Sequence, residues 1–146
     1  MNEGRYSQTW VAFGLDQTGV PNTAIVRISD EPIHQRASNI TSPHYVVLLD
    51  ATLSASITAG LRTDGVAIVP AGAVVAAKNA PTIIEAPTKG LQPDEARAFL
   101  VGVLVAASST CSLEMIQQAS AGLGDYAGNI AAGYQFGSKG QRLNGK

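Results

Sequence analysis

Two histidines and one cysteine limit the chemistry open to this 146-residue chain. Asp30, Glu31 and His34 lie close together, with Asp50 further on. A metal site recruits several His, Cys or carboxylate ligands at tight spacing, and Pro32 spoils any helical spacing among these. No metal site is expected. Cys111 could be a nucleophile with His44 as base and Asp50 orienting it. Its neighbours Thr110 and Ser112 form no local signature, so a packed structural thiol is the reading. Ser42-Pro43-His44 puts a hydroxyl near an imidazole, but without the glycine-flanked elbow a serine nucleophile uses.

The run Gly122-Leu123-Gly124-Asp125-Tyr126-Ala127-Gly128 superficially matches a dinucleotide-binding loop. Its glycine spacing is one residue too long, and the strand-turn-helix context with a later ribose-binding acid is missing. The acid pairs Asp30-Glu31 and Asp94-Glu95 read as loop solvation and as helix-start charge. No catalytic residue, cofactor or metal is assigned.

The elements that would position such groups read as strands. Trp10 to Leu15 and Thr23 to Ile28 flank Asp16-Gln17-Thr18-Gly19 and Pro21-Asn22, as a hairpin with a loop would. Ser29 to Pro43 is polar and irregular. Tyr45 to Leu49 is a continuous β-type run, and Thr52 to Leu61 alternates apolar residues with Ser and Thr, as a half-buried strand does. Val66 to Val69 and Ala73 to Ala77 flank the turn residues Pro70-Ala71-Gly72, and Thr82 to Glu85 is a further short strand. Pro93 with Asp94 and Glu95 starts a helix expected to be brief. The glycines make the region from Gly122 to Gly137 loop-like or loosely packed, with a helix from Tyr126 to Tyr134 as the less favoured alternative. The predicted fold is mostly β, barrel or sandwich-like, with one or two short α-helices. It is a single domain, 1–146, with a polar N-terminal arm at 1–8 and a flexible basic C-terminal tail at 137–146.

Composition adds limits. The chain is 45% hydrophobic and only 14% charged, against about 25% for an ordinary soluble domain. A surface this poor in charge favours contact with neighbours over solitary solvation. Tyr6, Tyr126 and Tyr134 stand in irregular or glycine-adjacent contexts and are candidate interface anchors, because tyrosine buries area while keeping a polar tip. Arg142, with Lys139 and Lys146, puts positive charge on the C-terminal run. A net charge of −1 argues against specific nucleic-acid binding. The polar first eight residues are unlike a signal peptide, and the apolar run Ala98 to Ala107 is too short to span a bilayer, so no membrane association is expected.

The run Val66-Ala67-Ile68-Val69-Pro70-Ala71-Gly72-Ala73-Val74-Val75, with the later Ala98-Phe99-Leu100-Val101-Gly102-Val103-Leu104-Val105, resembles a pattern in tailed-phage head decoration (capsid-stabilising) proteins. The resemblance covers about a quarter of the chain. It implies a β-rich fold and a non-enzymatic virion component seated, as trimer or monomer, on capsid subunits. It also implies an arm that adds a strand to a neighbour and a location in the virion or host cytoplasm. The alternatives are a small binding or accessory module of immunity or regulatory type, and a minor enzyme using Cys111 and His44.

Overall fold

The computed structural model describes residues 4–12, 23–34, 40, 42–51, 60–73 and 82–144. Residues 52–59 of the stretch read as a strand from Thr52 to Leu61, 74–77 of the run from Ala73 to Ala77, 13–15 of the strand from Trp10 to Leu15 with the turn after it, and 35–39 of the irregular segment from Ser29 to Pro43 lie outside the described residues. The chain divides into two compact units, Met1–Thr41 and Ser42–Lys146.

The first unit is an antiparallel pair of strands, β1 (Tyr6–Ala12) and β2 (Thr23–Ser29). Their register runs from Tyr6↔Ser29 to Ala12↔Thr23. Strand formation begins at Tyr6, inside the run read as a polar arm. Trp10 pairs with Ile25, and the Arg27 guanidinium lies 5.7 Å from the Trp10 ring centroid. A cation over an aromatic face is attracted by the ring quadrupole. Arg5 closes the open end on Asp30 at 3.1 Å.

The second unit is mixed α/β, which corrects the mostly-β barrel or sandwich. Its sheet is parallel, in the order β3 (Tyr45–Val47), β4 (Val66–Pro70), β5 (Thr82–Ala86). Short apolar runs without alternation are what a parallel sheet covered on both faces requires, and a barrel reading mistakes them for antiparallel neighbours. Central β4 has both faces buried. Ile68 faces a cluster of Ala86, Phe99, Leu100, Val103 and Ala107, while Ala67 and Val69 pack with Leu48.

Three helices follow: α1 (Pro93–Ser108), α2 (Leu113–Ser120) and α3 (Tyr126–Asn144). α1 begins as expected, with Pro93 in its first turn and the Gln92 backbone N–H donating to Glu95 Oε2 at 2.9 Å. It is not brief. Phe99, Leu100, Val103, Ala106 and Ala107 recur at helical spacing and are buried, so core packing outweighs the weak helix propensity of its valines. It ends at Ser109 in the left-handed region, φ 51°. Ser112 caps α2 by accepting the Met115 N–H at 3.3 Å.

The glycine-rich stretch is also helical, which corrects the loop reading. Gly133 and Gly137 lie on the face of α3 that meets α1. A Cβ at Gly133 would strike the Phe99 carbonyl oxygen, and one at Gly137 would come within 2.9 Å of the Ala106 Cβ. Gly102 does the reverse on α1, where a Cβ would strike the Ile130 carbonyl oxygen. These glycines lower intrinsic helicity but let the two backbones touch. The run from Gly137, expected as a flexible tail, is helical in its backbone to Asn144.

Candidate functional site

Parallel strands that run the same way bring their following loops to one edge, where open α/β sheets usually hold ligands. Here that edge carries Asp50 after β3, Gly72 after β4, and Thr88, Lys89 and Gly90 after β5. Gly72 (φ 83°) turns the chain so that its N–H donates to Glu85 Oε1 at 3.0 Å, tying β4's exit to β5. Thr88 is buried, and its carbonyl accepts the Leu91 N–H at 3.2 Å. Three ionisable groups, Asp50, Glu85 and Lys89, thus share this rim, all on exposed residues. The local sequence signal is Pro70-Ala71-Gly72, which by itself reads as an ordinary turn, because recognising an edge requires knowing the strands are parallel.

The nucleophile constellation does not assemble on this rim. His44 precedes β3 and Asp50 follows it, so they stand beyond opposite ends of that strand. Cys111 lies between α1 and α2, half-buried. Among the described residues no group of three or more His, Cys, Asp or Glu could hold a metal ion. Asp30 pairs with Arg5, and the Glu31 N–H donates to Ser29 Oγ at 3.0 Å. The Gly122–Gly128 run joins a short 3-10 turn (Ala121–Leu123) to α3, so the strand a dinucleotide loop needs does not precede it.

The strongest charge perturbation lies before β4. Arg62 Nε donates to Asp64 Oδ1 at 2.9 Å. This hydrogen bond holds the Asp64 carboxyl below its usual value and raises Arg62 above its own. Both groups are exposed, so the pair is a turn lock at the surface.

Apolar surface is more prominent than charge. On the hairpin, Val11, Val26 and Ile28 are exposed, all on the face opposite Trp10. On the helical side, Val101, Leu123 and Tyr126 are exposed around a groove of about 370 Å³ between α1 and the start of α3. A second hollow, about 290 Å³, is lined by Leu113, Tyr134, Gln135, Ser138 and Lys139.

The four candidate interface residues do not form one patch. Tyr6 is exposed on β1 and Tyr126 is exposed at the first groove. Tyr134, eight residues along α3 or about 12 Å, lines the second hollow. Its hydroxyl donates to the Cys111 carbonyl at 3.3 Å. Arg142 is in α3, with its side chain outside the described residues. Sequence reading missed Val101, which sits in a run that looks like core, and Leu123, which sits in the glycine-rich stretch that reads as a loop. Among the described residues, no helix is long and apolar enough to cross a membrane.

Comparison with known proteins changes the functional frame. A family model described as pyruvate ferredoxin/flavodoxin oxidoreductase matches residues 1–138. A pyruvate synthase subunit PorC from Methanosarcina barkeri is 39% identical over 69 residues, 46% of this chain and 37% of that protein. The PorC subunit of Methanothermobacter marburgensis is 38% identical over 80 residues, 53% of this chain and 45% of that protein. A pyruvate/ketoisovalerate oxidoreductases common subunit gamma from Pyrococcus abyssi is 42% identical over 69 residues, 46% of this chain and 37% of that protein. The chain thus spans less than half the length of these curated relatives. These matches overturn the phage decoration resemblance, and with it the non-enzymatic virion role, the capsid lattice and the virion location. The apolar, Pro-Ala-Gly and Gly-Val-Leu segments that carried it belong to β4 with its exit turn and to α1, elements of a mixed α/β unit.

Proposed function

The chain belongs to the pyruvate ferredoxin/flavodoxin oxidoreductase family, and from that premise we propose that it serves as a subunit of a multi-subunit pyruvate or related 2-oxoacid oxidoreductase. The observation that carries this reading is the family match, which runs through both compact units. The names of the relatives, a synthase subunit and a common gamma subunit, fit a component that works inside an assembly.

The donor set of this chain bears on its share of the work. Iron–sulfur clusters are typically held by four cysteine thiolates, and the chain has one cysteine. Cys111 cannot hold such a cluster without ligands from elsewhere. What this chain's residues offer such an assembly is packing and shape. Its low charge and exposed apolar residues on both units suit that role. Tyr6, Tyr126, Tyr134 and Arg142 remain proposed contact residues.

The test is co-expression with the remaining subunits of a pyruvate or 2-oxoacid oxidoreductase, followed by affinity capture through a tag on this chain. The expected result is a stoichiometric complex that reduces ferredoxin or flavodoxin when pyruvate or a branched 2-oxoacid is supplied, with activity lost when this chain is omitted. A chain that captures none of those subunits, or a complex equally active without it, would sink the proposal.

A further inference from the structure

We propose that the Trp10 face of the β1–β2 hairpin is the docking surface for an extended acidic segment of a partner subunit. Tyr6, Gln8 and Trp10 of β1 share this face with Ile25 and Arg27 of β2, because side chains two apart point the same way and the register sets Gln8 opposite Arg27 and Trp10 opposite Ile25. Arg27 is the only charged residue in the two strands. Its guanidinium lies 5.7 Å from the Trp10 ring centroid and makes no ion pair among the described residues. The ring holds the cation in place but leaves it without a carboxylate. Both residues are half-buried, so part of the charge's hydration is already removed. Directly across the ladder, Gln8 Oε1 is buried and accepts no hydrogen bond. A buried acceptor of this kind is costly to leave unpaired.

These two groups select the occupant. Arg27 calls for a carboxylate, which its planar fork can hold through two parallel hydrogen bonds. Gln8 calls for a donor, and a cationic donor would be repelled by Arg27 beside it. A neutral backbone N–H meets that condition. An Asp or Glu in an extended segment supplies both at once, its side chain to Arg27 and a main-chain N–H to Gln8. The last torsion of a glutamine is soft, so the amide can turn its oxygen toward that donor. A basic segment would meet Arg27 as a like charge, and a wholly apolar one would bury the cation without a partner. The other face of the hairpin, with Val11, Val26 and Ile28, carries no charge and selects no sign. The inference rests on the reading of the chain as an oxidoreductase subunit and names the chemistry of one contact that reading requires.

The test uses the tagged full chain co-expressed with the remaining subunits of a pyruvate or 2-oxoacid oxidoreductase. A photo-crosslinking residue replaces Tyr6, which is exposed on the same face. The expected crosslink is to a segment of another subunit that carries Asp or Glu. Arg27→Ala should weaken binding of those subunits about tenfold or more, and Arg27→Glu should weaken it further. Arg27→Lys keeps the charge but loses the fork, so it should fall between the parent and Arg27→Ala. Changing the crosslinked acid to Lys should rescue Arg27→Glu. Gln8→Leu serves as the second variant if the changes at Arg27 disturb folding. It removes the unpaired acceptor, so the isolated chain should be at least as stable as the parent in denaturation while the complex is weakened. A parent chain that captures no subunit defeats the subunit reading and this inference with it. A parent that captures them overturns this inference alone if Arg27→Glu and Gln8→Leu bind equally well. The same holds if no crosslink forms, or if it falls on this chain itself or on a segment without an acid.

Discussion

Arg62 and Asp64 stand two residues apart in the turn before β4, and their hydrogen bond gives that turn a pH response of known sign. The carboxyl of Asp64 is held below its ordinary value first by the Arg62 hydrogen bond and then by its own backbone. A depressed carboxylate stabilises the fold at pH above its unfolded value, and that contribution is lost as pH falls through the folded value. Replacing Arg62 with Gln should move the Asp64 titration, followed by NMR, upward toward the usual aspartate range. The stability difference between this variant and the parent should be present at neutral pH and vanish in acid, below both values. An Asp64 titration unchanged in the variant would refute the pairing. At this scale the turn itself is legible in sequence, because Asp64-Gly65 is turn chemistry. Which exposed side chains ring a groove was not legible, because Val101 looks like its buried neighbours Leu100 and Val103 until α3 is placed.

At the scale of elements, α1 and α3 depend on glycine in opposite ways at different positions. Gly133→Ala puts a methyl into the Phe99 carbonyl, a backbone atom that cannot rotate away. Such overpacking should cost about 1–3 kcal/mol or more, exceeding the gain in helix propensity. Gly128→Ala meets nothing within 4 Å and should stabilise by up to ~1 kcal/mol. Chemical denaturation of the two variants distinguishes these effects, and equal signs for both would contradict the close packing. The same positions explain what sequence could and could not reveal. Pro93, Asp94 and Glu95 mark a helix start by local chemistry, so α1's beginning was legible. Its length and the existence of α3 were not, because glycine penalises an isolated helix and helps one that must approach another. The parallel sheet was hidden for a related reason. Val66 to Val69 is apolar throughout because both faces are covered, and periodicity cannot tell which neighbours it pairs with.

At the scale of the whole molecule, function was the least legible property. No compact catalytic or ligand motif marks the chain, and its family signal is spread over residues 1–138. Low charge suggests contact with other proteins as a class of role, and the relatives are named as subunits, yet composition carries no information about which assembly is built. That information lies in the order of apolar and glycine positions, which composition discards. The meeting of α1 and α3 through Gly102, Gly133 and Gly137 has a consequence for motion. Without a layer of side chains between the backbones, neither helix can slide or part from the other by small steps. Both should therefore open as one cooperative unit. Amide hydrogen exchange at Val103 in α1 and at Gly137 in α3 should report the same opening free energy and the same denaturant dependence. Separate values would mean that the helices unlock independently.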